Sequence, residues 1–404
     1  MSEAHEPAQK GPAPRRRRIW LWVVLGAALV ALAAAAATAV RAARYVDDVV
    51  EEIKPDSAAA PIEEEYKTPP EYAGDVVNVL VCGVDSSEDR EYQDGDGMTD
   101  LILYVQFDVK NHTISMFQIP RNTFVGGYKL TMENGDVYRS SNANINSIMR
   151  RNATTDADGN EVGNVNALVA VIYNMYKLPV DYYVTLDMDA LVAMVDHMGG
   201  VDVYVPFDIE YKGSKLEAGT HTLLGEQAEF FVRNRHGAGY EQADIARLNM
   251  QRYFYQGLFA KLRSLTVRDI VKLMPVVAWY VKTDMDLGTI LQLAVEALQV
   301  DASRFMMCQS PVYMDCTNYG INEANPVGYS IVVAARQENA DLLNQYFRRY
   351  TGEVPAEELN LPDYTRGGAA PTDANVQWMG ELDAQAGNVP QPGSQSEAAA
   401  SPAA

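Results

Sequence analysis

Twenty-two consecutive residues without a charge, Ile19 to Val40 (IWLWVVLGAALVALAAAAATAV), constrain this 404-residue chain more than any other stretch. About 20 apolar residues in a helix cross a bilayer core, and four arginines, Arg15–Arg18, stand directly before these. Positive charge is retained on the cytoplasmic side. The expected layout is a basic cytoplasmic N-terminus (1–18), a transmembrane helix (19–40) and everything beyond it outside the cell. The small residues late in the run also suit a cleaved signal peptide, which would leave the body in the same compartment. Residues 41–74 are charged and rich in Ala, Pro and Glu, and are expected to form a stalk. Residues 75–350 are expected to fold as one extracytoplasmic domain. Residues 351–404, poor in large apolar side chains, are expected to be a disordered tail.

This layout changes how charge is interpreted. The chain carries −21, but residues 1–44 hold seven Lys/Arg and two Glu, so the remainder has 26 basic and 52 acidic residues, a net of −26. A body so acidic lacks the basic face that displaces counterions from nucleic acid, and nucleic acid is excluded as a partner. Three cysteines are too few for a disulfide scaffold. Cys82, inside VVNVLVCGV, suits a buried strand. Cys308 and Cys316 flank a turn at Pro311 and can pair in an oxidising compartment.

Hydrophobic periodicity gives the fold class. VVNVLVCGVD, LILYVQFDV and TISMFQIP are short apolar runs bounded by Asp, Gly and Pro, and each predicts a strand. YKLTMENGDVYRS carries Asn134-Gly135 between alternating runs, a hairpin signal. VNALVAVIYNMYK has helical spacing and precedes the strand DYYVTLD. MDALVAMVDHMGG is helical to its glycine stop, and VDVYVPFDI is another strand. LLGEQAEFFVRNR and ADIARLNMQRYFYQGLFAKLRS are helical. Strands interleaved with helices predict an α/β body with a mixed central sheet.

The available chemistry is narrow. None of the five histidines stands in HExxH or another zinc spacing, and GxSxG, Walker and GxGxxG motifs are absent. The segment from Asp156 to Asn160 resembles a calcium loop, but Glu161 replaces the needed glycine, which leaves a turn. What remains is carboxylates and arginines. Asp85 closes one predicted strand and Asp100 opens the next. On neighbouring strands the two can share one hard cation such as Mg²⁺; alternatively both simply terminate strands, as Asp commonly does. Arg233 and Arg235 leave one face of an extended segment. Asp244, Arg247 and Gln251 form one stripe of a helix. Arg121 follows Pro120 at the end of a strand. Arginine forks suit bidentate capture of phosphate, although surface ion pairs with the surrounding acids account for the same residues. Arg252 points away from Gln251 and looks ordinary.

The order of these motifs resembles the LytR-CpsA-Psr family of membrane-anchored cell-wall ligases. The resemblance is carried by NVLVCGVDS, MTDLILYVQFDVKNHTISMFQIPRNTFV, LPVDYYVTLDMDALVAMVDHMGGVDVYVPF and GTHTLLGEQAEFFVRNRHGAGYEQADIARLNMQR, which span most of 75–265. It implies a mixed central sheet with helices on both faces. It also implies an Mg²⁺-dependent phosphotransferase that attaches a glycopolymer from a polyprenyl-pyrophosphate carrier to peptidoglycan. Asp85 and Asp100 would then be the metal carboxylates. Arg121, Arg233, Arg235, Arg247 and Gln251 would hold the pyrophosphate, with Arg121 also in the catalytic set. Asp244 would orient Arg247 or activate the acceptor hydroxyl. The apolar helices ALVAVIYNMY and DALVAMVDHM would line a lipid slot or belong to the core.

The chain departs from the family pattern in several places. DSSEDR replaces D-S-R, so only Arg90, further along, can supply that arginine. Thr99 stands before Asp100 without the usual arginine, and Asn122 replaces the acid after Arg121. Asn144 and Met250 replace a lysine and an arginine. The phosphate and metal residues stay, while the polar groups around them thin. A non-catalytic scaffold that binds lipid-linked polymer or wall, and a hydrolase that releases polymer to water, are therefore the alternative readings.

Overall fold

The computed structural model describes residues 61–85, 98–126, 128–131, 137–140, 144–155, 161–240, 244–265, 280–314, 331–363 and 370–381, with isolated positions at 269, 273 and 276. All fall in one compact unit, Glu52–Ala404. The expected N-terminus, transmembrane helix and first part of the stalk lie outside the described residues, as do Arg90, the loop from Asp156 to Asn160 and Cys316. Among the described residues no helix is long and apolar enough to cross a membrane.

The strands predicted at the start of the body form the centre of a seven-stranded mixed sheet. These are β1 (Val76–Asp85), β2 (Met98–Asp108) and β3 (Thr113–Gln118). They are joined by β4 (Tyr182–Asp187), β7 (Val281–Thr283), β8 (Phe305–Gln309) and β9 (Gln377–Trp378). The spatial order is β7-β4-β1-β2-β3-β8-β9. Pairs β1–β4 and β3–β8 are parallel and the others antiparallel. A smaller antiparallel pair, β5 (Val201–Val205) and β6 (Gly219–Leu223), stands apart from this sheet.

Side-chain alternation divides the sheet between two cores. Leu80, Cys82, Ile102, Tyr104, Phe117 and Cys308 pack with α1 (Val165–Tyr176) and α6 (Arg336–Tyr346). Leu103, Val105, Met116 and Met307 form another cluster, against which Tyr255 and Phe259 of α4 (Asp244–Ser264) and Ala297 of α5 (Leu287–Gln299) pack. Helix α1 starts where the Asn164 side chain accepts from the Ala167 N–H, an N-cap. Helix α2 (Met188–His197) is capped likewise by Asp187 and gives way to Gly199 and Gly200, both at positive φ, where glycine pays no steric penalty. Helix α3 (Gly225–Arg233) packs against α2 and α4. The segment ALVAVIYNMY lies almost wholly inside the core, with Leu168, Val169 and Ala170 fully buried.

Three expectations need correction. The end of the expected stalk is body: Ile62 and Tyr66 are buried in the main core, and Asp181 accepts from the Thr68 N–H at 2.8 Å and the Thr68 hydroxyl at 2.7 Å. Much of the expected tail is body too. Leu359, Leu361 and Met379 are buried, and β9 adds an edge strand by pairing Met306 with Trp378. A few well-placed apolar anchors suffice where composition alone suggests disorder. Cys308 is a free thiol buried in β8 rather than half of a disulfide.

Candidate functional site

The site begins with an irregularity in the sheet. In the β1–β2 ladder Gly83 faces Leu101 and Val84 faces Thr99, so Asp100 is an extra residue opposite no partner. This is a β-bulge, which re-aims a side chain that regular pleating would direct elsewhere. Gly83 is needed there, because a Cβ would fall 2.9 Å from the Leu101 Cβ. Asp85 sits on the neighbouring strand, across from Met98. The two acids thus lie on adjacent strands, as the cation reading requires. Only the backbone of Asp85 is described.

Asp100 meets Arg121, whose Nη1 donates to Asp100 Oδ1 at 2.6 Å. Arg121 follows Pro120 in the turn after β3, and its carbonyl accepts from the Asn146 N–H, which fixes the turn. Asp244, at the start of α4, lies 2.8 Å from Arg247 Nη2 and 3.7 Å from Arg121 Nε. Neither Asp244 oxygen has an aligned hydrogen bond, so these are contacts of charge rather than directed bonds. Arg247 Nη2 also donates to the Asp100 carbonyl at 3.2 Å.

The remaining arginines arrive from α3. Arg233 is in its last turn and donates to Glu229 at 2.5 Å. Arg235 follows in the extended segment beyond. The pair shares a face because a helix end leads into a strand-like exit, not because of strand alternation as the spacing suggested. Burial pushes the Arg235 guanidinium below its ordinary range. The positive charges of Arg121 and Arg247 push the same way, against Asp244 and Asp100. Among the described residues Arg235 has neither an ion-pair nor a hydrogen-bond partner.

Arg121, Arg233, Arg235, Arg247, Asp100 and Gln251 line one cavity of about 110 Å³. Leu101, Leu186, Leu191, Val232 and Phe254 add apolar surface to the same lining. Leu191 is the contribution of DALVAMVDHM. Gln251 is buried, and its Nε2 donates to the Val232 carbonyl at 2.9 Å, which ties α4 to the turn that bears Arg233. Its Oε1 accepts from Gln118 at 3.3 Å and from the Tyr255 hydroxyl at 3.4 Å. Gln118, Glu229 and Tyr255 escape sequence reasoning, since each acts through a contact that local spacing does not encode. Of the departures from the family pattern, Asn122 has a buried Oδ1 without a hydrogen-bond partner, and Met250 packs away from the arginines with Phe231 and Ala228.

Four guanidinium groups against Asp100, Asp244 and Glu229 make a locally cationic cleft in an acidic protein, lined in part by apolar side chains. Such a lining has the chemistry to take an amphiphile whose head carries clustered negative charge. Among the described residues no group of three or more His, Cys, Asp or Glu is placed to hold a metal ion.

Comparison with known proteins gives a consistent picture. The profile of the LytR_cpsA_psr family matches residues 43–345, more than half of the chain. The chain is 28% identical over 194 residues to the polyisoprenyl-teichoic acid–peptidoglycan teichoic acid transferase TagV of Bacillus subtilis, covering 46% of this chain and 44% of that one. It is 29% identical over 191 residues to TagU of Bacillus licheniformis, a protein of the same printed description, covering 46% and 52%. The chain thus spans about half the length of the curated relatives it matches. The crystal structure of B. subtilis TagV superposes with a TM-score of 0.53 at 21% identity, covering 69% of this chain and 98% of that one. That likeness concerns the fold.

Proposed function

The chain belongs to the LytR-CpsA-Psr family, and on that premise we propose that it is a membrane-anchored phosphotransferase that moves a glycopolymer from a polyprenyl-pyrophosphate carrier onto a peptidoglycan hydroxyl. One observation carries the reading: Arg121, Arg233, Arg235 and Arg247 converge from three parts of the chain on a single cavity that Leu101, Leu186, Leu191, Val232 and Phe254 also line. The guanidinium forks hold the diphosphate, and Leu101, Leu186, Leu191 and Phe254 take the first part of the lipid.

In the reaction, the acceptor oxygen bonds to the phosphorus that carries the glycopolymer. The bridging P–O bond breaks, and the polyprenyl phosphate leaves with the electron pair. Negative charge grows on the leaving phosphate, and donors already fixed in place stabilise it without reorganising. The hydroxyl proton passes to Asp244, whose two oxygens lack aligned hydrogen bonds. Mg²⁺ suits the donor chemistry. Asp100 of the bulge and Asp85 on the adjacent strand would hold the ion together with phosphate oxygens, the oxygen donors that Mg²⁺ takes. Bound there, the ion would supply further positive charge to the phosphates.

A binding-only scaffold is the second reading. It is favoured by the 2.6 Å Arg121–Asp100 pair, which engages one of the two proposed metal carboxylates. The test is transfer by the full chain in detergent of a short polyprenyl-pyrophosphate-linked saccharide to peptidoglycan oligomers, with Mg²⁺ or EDTA, beside Asp100→Ala and Arg247→Ala. Mg²⁺-dependent product lost in both variants supports the transferase. Tight lipid binding without product, where an active relative succeeds, selects the scaffold, and free polymer released to water selects a hydrolase.

A further inference from the structure

The four arginines of the cavity carry like charges, and nothing in their own chemistry gathers them. Burial and then the charges of Arg121 and Arg247 push the Arg235 guanidinium down, and the second of these causes is repulsion among the arginines themselves. Asp100, Asp244 and Glu229 relieve that repulsion, but each also quenches charge that an anion would use.

A neutral group holds the same segments together. Gln251 is 5% exposed, and both ends of its amide are engaged. Nε2 donates to the Val232 carbonyl at 2.9 Å, while Oε1 accepts from Gln118 Nε2 at 3.3 Å and from the Tyr255 hydroxyl at 3.4 Å. The Val232 carbonyl belongs to the last turn of α3, where no N–H of the helix can reach it, and Gln251 supplies the missing donor. Burial pushes the Tyr255 phenol up, which keeps it protonated and able to donate.

Each partner stands a short step from an arginine. Gln118 on β3 comes three residues before Arg121, Val232 directly precedes Arg233, and Gln251 lies one turn of α4 beyond Arg247. One amide therefore ties together the three segments that bring all four guanidinium groups to the cavity, and it spends no positive charge in doing so. Gln118 is wholly buried and does not line the cavity, so what it does for an anion it does through Gln251.

We propose, resting on the assignment of this cavity to a diphosphate, that Gln251 is a positioning residue rather than a phosphate ligand. With Gln118 and Tyr255 it sets the spacing of the arginines and so selects two linked phosphates over one. A diphosphate that spans guanidinium groups from separate segments needs those segments in register, whereas a single phosphate is satisfied by the forks of one.

The test titrates the full chain in detergent with inorganic pyrophosphate and with orthophosphate, with and without Mg²⁺, by calorimetry. The main variant is Gln118→Met. It keeps the side chain's length and removes, along with the donor, a buried Oε1 that has no hydrogen-bond partner, so the fold is expected to survive. It should weaken pyrophosphate roughly tenfold and orthophosphate less than about twofold. Tyr255→Phe should shift the ratio the same way by less, because its contact is the longer one. Unchanged pyrophosphate affinity in Gln118→Met overturns the inference, and a loss confined to Gln251→Met makes that glutamine a ligand instead. An equal loss for both anions, or fewer competent sites at unchanged affinity, marks a role in the fold alone and overturns it too. A parent that ignores pyrophosphate in both conditions brings down the anion site and this inference together. A parent that prefers pyrophosphate but transfers no polymer removes the transferase reading and leaves the positioning role standing.

Discussion

Arg247 and Arg252 lie five positions apart on one helix and are almost equally buried, at 3% and 4% exposure, yet they are held in different ways. Arg247 has Asp244 at 2.8 Å. Arg252 has only a neutral carbonyl, and burial pushes its guanidinium down to about 10. A charge matched by an opposite charge can wait in a pocket at little cost. A charge matched only by a dipole keeps more of the cost of leaving water. Asp284 is the acidic counterpart of Arg252: its Oδ1 accepts from the Tyr183 N–H at 2.8 Å, and burial pushes its carboxyl up to about 6.

The contrast can be broken most sharply at Asp244. Asp244→Ala strands Arg247 as a buried cation and should cost about 3–5 kcal/mol in urea unfolding, the usual penalty for removing one partner of a buried pair. A loss below 1 kcal/mol would show that Arg247 needs no partner. Asp284→Asn should act in the opposite sense and depend on pH. A carboxyl whose folded pKa is raised contributes relative stability that is intact below its ordinary value of 3.8 and is lost as pH rises through about 6. The variant should therefore be about 2–3 kcal/mol more stable than the parent at pH 7.5 and no different near pH 3.5. Equal denaturation midpoints at both pH values would remove Asp284 from the comparison. Arg252→Met should move stability by no more than about 1 kcal/mol, because a dipole-held charge gives up little when an apolar chain of similar length replaces it. A loss of several kcal/mol would place Arg252 with Arg247 after all.

The sequence made the periodic parts legible. Strands β1 to β3, helices α1, α2 and α4 and the Asp244–Arg247–Gln251 stripe follow from spacing, because burial enforces a period of two or 3.6. The bulge was not legible. An extra residue at Asp100 breaks the period, so the acid looked like a strand terminator. Strand β9 escaped for a related reason: two residues in a stretch of Gly, Pro and Asn carry no period, and Met379 is a lone anchor. The apolar part of the cavity lining gathers Leu186, Leu191 and Phe254 from three elements, a grouping that only the fold creates. Arg252 was misjudged because helical phase tells which way a side chain points but not what closes over it. Here the cover comes from Asn375, 123 positions later.

The bulge also changes what an alignment of such chains means. Asp100 faces no residue of β1, so it is the position a gap would remove at no cost to the ladder on either side. Deleting it would restore a regular sheet and, by the same stroke, take away the acid that holds Arg121. In this fold a one-residue indel at the end of a strand is a change of chemistry, and a column that looks dispensable to pairing is the one that the arginines are built around.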